Sequence, residues 1–165
     1  MLKRLLRHLF APSARRLFPA ERLQRIAAAI AESELRHSGE ICFAVEAALP
    51  ARAVLGGQQA RDRALEVFAQ LRVWDTDANN GVLLYLLLAD HRIEIVADRG
   101  FDARVSAEQW RGVCQLIEER LRAGRSEAAV VDGVAAISEL LARHFPRSAG
   151  DADRNELPDA PHVLG

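Results

Sequence analysis

The segment Asp75-Thr76-Asp77-Ala78-Asn79-Asn80-Gly81 carries the densest chemistry in the chain. Its side-chain oxygens stand directly before a long apolar run. Hard cations such as Ca²⁺ and Mg²⁺ take oxygen ligands of this kind. Asn and Asp also favour turns, and Asn80-Gly81 suits a tight one. The residues by themselves leave cation binding and plain turn chemistry both open. An EF-hand loop is excluded, because it needs Gly at its sixth position and Glu at its twelfth. Asn80 and Leu86 stand there.

A second loop, Asp98-Arg99-Gly100-Phe101-Asp102, leaves a strand-like run. If residues 81–88 and 92–97 pair as an antiparallel hairpin, the start of one strand lies beside the end of the other. Asp75, Asp77, Asn79, Asn80 and Asp98 then surround one edge of the sheet, with Asp102 close by. Carboxylates gathered there repel one another unless hydrated or neutralised by a cation. Arg99 is the alternative neutraliser.

Other site chemistries fail on residue type. An aspartyl phosphatase of the haloacid-dehalogenase kind needs Thr or Val two places after the second Asp and a lysine for the phosphate. Asn79 occupies that place, and the only lysine is Lys3. Cys114 and Arg120 have thiol-phosphatase spacing. The intervening residues hold no glycine and sit in a helical pattern, where positions six apart point about 240° apart at ~100° per residue. GxSxG, HExxH, GxxxxGK[ST] and GxGxxG do not occur, and the histidines lack metal-ligand spacing. Cys42 and Cys114 form no CxxC pair and read as buried, reduced, small apolar residues.

The elements that must position these loops follow from periodicity. Pro19 opens a helix with Leu23, Ile26 and Ile30 inward, ended by Gly39. Ile41, Phe43 and Val45 mark a strand. Gly56-Gly57 opens a helix with Ala64, Leu65, Phe68 and Leu71 on one face. Gly81–Leu88 is a central strand covered on both faces. Asp90-His91 turns into a strand bearing Ile93, Ile95 and Ala97. Ser106 with Gln109 is a capping box, and that helix runs to Gly124. Ser126 caps a last helix that Pro146 stops. The packing solution is an α/β fold: a three-layer α/β/α sandwich around a small mixed sheet that includes the hairpin.

The chain has 165 residues, half of them hydrophobic and 27% charged, which is globular composition. Its longest uncharged apolar run, Gly81–Ala89, is far short of the roughly 20 residues that span a bilayer. Residues 1–25 hold seven basic residues against Glu21 alone, and the remainder is net acidic. An acidic body argues against nucleic-acid binding. Leu2, Leu5, Leu6 and Leu9 recur at helical spacing beside Lys3, Arg4 and Arg7. This basic amphipathic arm suits either an anionic membrane surface or packing on its own domain. It lacks the pattern of a signal peptide. The expected location is cytoplasmic, at most peripheral to the inner membrane face. The division expected is an arm over 1–18, a domain over 19–146 and a C-terminal tail over 147–165, extended or draped on the surface.

Trp74-Asp75-Thr76-x-x-Asn79-Asn80-Gly81-Val82-Leu83-Leu84-Tyr85-Leu86, followed by Asp90-His91-Arg92-x-Glu94-Ile95-Val96-Ala97-Asp98-Arg99-Gly100, resembles the core of the TPM domain. That domain occurs in the thylakoid-lumen protein of photosystem II repair and in related bacterial proteins. The resemblance covers about residues 20–146. The tail Asn155-Glu156-Leu157-Pro158-Asp159 resembles that of a bacterial subgroup without signal peptide or membrane anchor. The resemblance implies an α/β sandwich with a cleft lined by acidic loops. Plant members are described as acid phosphatases, some members bind Ca²⁺ or other divalent ions, and others serve membrane-protein complexes as accessory factors. Asp75, Asn80 and Asp98 match the family's loop and strand-end positions best. The expectation is an accessory or interaction domain that takes Ca²⁺ or Mg²⁺. The alternative is a metal-dependent acid phosphatase.

Overall fold

An unbroken apolar stretch with β-rich composition belongs in the middle of a sheet, because either face of it would be costly to leave in water. In the computed structural model, which describes residues 1–148 and 155–165, Gly81–Leu87 takes that place as strand β2, and every residue of it is buried. On one side it pairs in parallel with β1 (Glu40–Glu46), Glu40 opposite Gly81. On the other it pairs antiparallel with β3 (Arg92–Ala97), Val82 opposite Ala97. The expected hairpin is present, and His91 makes its turn at φ +51°.

Helices cover both faces. The remaining helices, in chain order, are α1 (Leu2–Leu9), α2 (Ala14–Leu17), α3 (Ala20–Glu34), α4 (Ala51–Leu55), α5 (Ala60–Gln70), α6 (Ala107–Arg122) and α7 (Ser126–His144). Alternation along the strands sorts side chains between two cores. Ile41, Phe43, Val45, Leu84 and Leu86 pack under α3, α6 and α7 with Ile26, Ile30, Ile117 and Ile137. Cys42, Ala44, Leu83, Tyr85 and Leu87 pack under α4 and α5 with Val54, Ala64 and Val67. The three-layer α/β/α sandwich is therefore the observed architecture. Cys42 and Cys114 are free thiols, and burial raises both, Cys42 to about 12.

Several boundaries differ from expectation for local reasons. Pro19 stands just outside α3 as its N-cap, and α3 ends at Glu34 because residues 35–39 turn toward β1. Gly56-Gly57 closes α4, with Gly57 at φ +80°, and does not open the next helix. α5 begins only after Gln59, whose N–H donates to Asp62 Oδ2 at 2.9 Å. Ser126 lies inside α7, and its hydroxyl accepts from Arg22 at 2.9 Å.

The C-terminal segment is more than a surface drape. His162–Leu164 forms β4, which pairs in parallel with β1 and gives the sheet the order β3-β2-β1-β4. Leu157 is buried in the second core. Residues 149–154 of the expected tail lie outside the described residues.

The arm packs on the body beside α4. Asp90, at the hairpin turn, gathers Arg4 at 2.7 Å and Arg7 at 3.1 Å. Burial opposes the charge on Asp90, but the Arg4 bonds and the nearby His8 ring outweigh it and hold the carboxyl below its usual range. His8 Nδ1 accepts from the Leu49 N–H at 2.9 Å, so its proton sits on Nε2. That atom faces Asp90 at 3.0 Å in a close but poorly aligned contact. The outer side of α1 stays open: Leu2 is 68% exposed and Leu9 57%.

Candidate functional site

The β1–β2–β3 strand order brings three chain segments together at one end of the sheet. These are residues 38–40 before β1, residues 75–81 before β2, and residues 98–102 after β3. Main-chain bonds fasten them. The Asp98 N–H donates to the Gly81 carbonyl and the Gly100 N–H to the Asn79 carbonyl, both at 2.9 Å. The Glu40 N–H donates to the Asn80 carbonyl at 3.3 Å. Asn79 takes φ +52°, a left-handed conformation that Asn tolerates better than most residues. Gly100 must be glycine here, since a Cβ would stand 2.3 Å from the Asn79 oxygen and 2.9 Å from that of Ala78.

The predicted residues fare differently. Asn80 is fully buried. Its N–H donates to Thr76 Oγ1 at 3.0 Å and its Nδ2 to the Ser38 carbonyl at 3.0 Å. Among the described residues its Oδ1 has no partner. Asp98 Oδ1 accepts from the Arg99 N–H at 2.7 Å and caps the short 3₁₀ turn Arg99–Phe101, while its buried Oδ2 has no partner among the described residues. Asn79 Oδ1 accepts from Arg99 Nε at 2.8 Å. Asp75 is exposed and pairs with Arg72 at 2.7 Å. The Asp77 N–H donates to Glu156 Oε2 at 2.8 Å. Asp102 is exposed, and its N–H closes the 3₁₀ turn on the Arg99 carbonyl at 3.0 Å. The structure thus joins Asn79, Asn80 and Asp98, and turns the Asp75 carboxylate toward Arg72. Among the described residues, no three His, Cys, Asp or Glu side chains converge where a metal could sit.

A second acidic group adjoins this end and was not legible in the sequence. Glu40 is buried and accepts from the Glu156 and Leu157 N–H groups, each at 3.2 Å. Burial pushes its carboxyl up to about 6. Glu34 accepts from the Ile41 N–H at 2.9 Å, and burial, with the Glu40 and Asp159 charges beside it, pushes it up to about 9. The C-terminal segment is thereby tied to both the sheet and the loop. The one sequence signal was Glu40 itself, a charge directly before an apolar strand.

This geometry accompanies a family match. A model of the TPM domain matches residues 14–140. The chain belongs to the TPM-domain family. It is similar to the BA42 protein of the psychrophilic bacterium Bizionia argentinensis, with 30% identity and a TM-score of 0.76 over 88% of this chain and 94% of that one. It also shares its fold with the N-terminal domain of a P. gingivalis protein, at 18% identity and a TM-score of 0.62, covering 83% of this chain and 86% of that one. No curated protein matches the sequence. The TPM match ends within α7, so β4 and the Glu40 contacts of residues 156–157 lie beyond it. Among the described residues of this TPM domain, no helix is long and apolar enough to cross a membrane.

Proposed function

We propose that this TPM domain is a non-enzymatic accessory or interaction module whose loop cleft takes a divalent cation, Ca²⁺ or Mg²⁺. One observation carries the reading. Two buried oxygens that find no partner among the described residues, Asn80 Oδ1 and Asp98 Oδ2, stand on adjoining strand ends. Buried polar atoms are rarely left unpaired, because each orphan costs roughly 1–3 kcal/mol. A hard cation satisfies such oxygens. Phosphatase chemistry is less well supported. The two cations nearest the loops are already engaged, Arg99 with Asn79 and Arg72 with Asp75.

With one buried carboxylate and otherwise neutral oxygens, the affinity expected is weak, a Kd of about 1 mM. Titrating Ca²⁺ or Mg²⁺ should move the backbone amides of residues 76–81 and 98–101 together. Asp98→Asn keeps the acceptor for the Arg99 N–H and should weaken binding at least about tenfold. Unchanged amides with either ion at ~10 mM would defeat the reading. Turnover of a chromogenic phosphate ester that vanishes in Asp98→Asn would favour the enzyme instead.

The partner expected is a membrane-protein complex or an anionic membrane surface at the cytoplasmic side. The exposed Leu2, Leu6, Leu9 and Phe10 beside Lys3 and Arg15 support it. Full-length protein should sediment with anionic vesicles and come off in high salt, and Leu6→Glu with Leu9→Glu should abolish this. Sedimentation indifferent to those changes would remove the arm from the contact.

A further inference from the structure

At the other end of the sheet, remote from the Asn80 and Asp98 loops, two cavities meet. One of about 580 Å³ lies between residues 10–17 and the hairpin turn, walled by Phe10, Pro12, Leu17, Leu88 and Ala89. The other, about 440 Å³, continues past Leu17 and Leu88 to Ile93 and Leu121. Leu17, Leu88 and His91 line both, so the two form one channel. Its size and apolar walls are those of a small-ligand site, in which a few polar groups fix orientation.

Charge at the mouth is one-sided. Arg7, Arg16 and His91 line the first cavity, and no acid does. Among the described residues Arg16 forms no ion pair, whereas Arg7 reaches Asp90 at 3.1 Å. In the second cavity Arg92 adds a further cation that forms no ion pair among the described residues, and Glu118, the single acidic lining residue, meets Arg122 at 2.6 Å. An apolar channel with the unpaired Arg16 at the end beside residues 10–17, and a lining that is basic on balance, matches a ligand with an apolar chain and one anionic end. Arg suits a carboxylate or phosphate head through its planar pair of N–H donors.

We propose that this channel binds a single-chain anionic amphiphile of the long-chain carboxylate class. The head lies against Arg16, with Arg7 and His91 beside it, and the chain runs over Leu17 and Leu88 toward Leu121. The site is independent of the cation reading, since its residues lie at the opposite end of β2.

The test uses the full chain and decanoate, kept below its micelle concentration. Saturable shifts are expected at the amides of Leu17, Leu88, Ala89, His91 and Leu121. Nonyltrimethylammonium has the same alkyl tail and the opposite charge, and should bind about tenfold more weakly, the equivalent of one effective ion pair. Arg16→Glu, at an exposed residue whose side chain forms no ion pair, should weaken decanoate by a similar factor without moving the thermal transition. Leu17→Glu should abolish binding. Three results overturn the proposal: shifts confined to the outer face of α1 at Leu2, Leu6 and Leu9, equal binding of the two head groups, or an Arg16→Glu protein that binds decanoate unchanged. The first would mean adsorption of amphiphile to the arm, as at a membrane surface, and no channel ligand.

Discussion

Arg63→Ala is expected to lower the unfolding free energy by about 3–5 kcal/mol. Glu46 ends β1 on the face covered by α5 and is 2% exposed. Its carboxylate accepts from Arg63 Nε at 2.9 Å and from a terminal Arg63 nitrogen at 3.2 Å. The Tyr85 hydroxyl donates to the same carboxylate at 2.6 Å. Burial and the neighbouring Glu46 charge push the Tyr85 phenol well above its usual range, so it stays a donor. Removing Arg63 leaves a buried carboxylate with one neutral donor, and that uncompensated charge is what makes the change severe. Replacing the group together, with Arg63→Met, Glu46→Leu and Tyr85→Phe, should recover most of the loss, since no orphan remains. Urea unfolding measures both: the midpoint should fall in Arg63→Ala with the slope unchanged. A loss below about 1 kcal/mol, the range of an exposed pair, would refute the view of this network as a buried charge cluster.

Raising the pH from about 7.5 to about 8.5 should destabilise the protein at a slope of up to about 1.4 kcal/mol per unit, and Glu34→Gln should flatten that slope. The sign follows from which state holds the proton. Glu34 titrates near 4.5 when unfolded and about 9 when folded. Between those values the folded state binds the extra proton, so the stability present below pH 4.5 is lost as pH rises toward 9. Glu40 acts the same way over a narrower window, 4.5 to about 6. His37 opposes them: burial lowers it from 6.5 to about 4, so its contribution is complete above pH 6.5 and is lost on acidification. Above about pH 7.5 Glu40, His37 and His162 have largely finished titrating, and below about pH 8.5 the Cys42 and Cys114 thiols have barely begun, so Glu34 dominates the slope between. A Gln at position 34 keeps an oxygen for the Ile41 N–H but has no proton to lose. Equal slopes for Glu34→Gln and the parent across this window would exclude Glu34 as the cause.

The long, strongly patterned elements were readable from residues alone. The all-apolar Gly81–Leu87 run had to be a central strand, and Asp90-His91 had to return the chain as a hairpin. The Ser106–Gln109 capping box is present, with the Gln109 N–H donating to Ser106 Oγ at 3.2 Å. Juxtaposition of the Asn79–Asn80 and Asp98 loops followed from the hairpin itself. Short or weakly patterned elements were not readable. α4 is five residues long, and the Gly56-Gly57 pair marks its end as well as it would mark a beginning. β4 is three residues and has no periodicity to read. Asp75 matched the family position, but its carboxylate found a nearer cation in Arg72, three residues away.

The sequence by itself determined the layered α/β plan, the family, and which two loops meet at the sheet's end. Periodicity, caps and turn residues act within a few positions, so they can be read in order along the chain. Only the tertiary structure decided that Glu40 would hold a segment 117 positions away, that Arg63 would neutralise Glu46 beneath Tyr85, and that Asn80 and Asp98 would each keep an oxygen unpaired among the described residues. Such pairings depend on which side chains the packed layers desolvate together, and no local spacing encodes that.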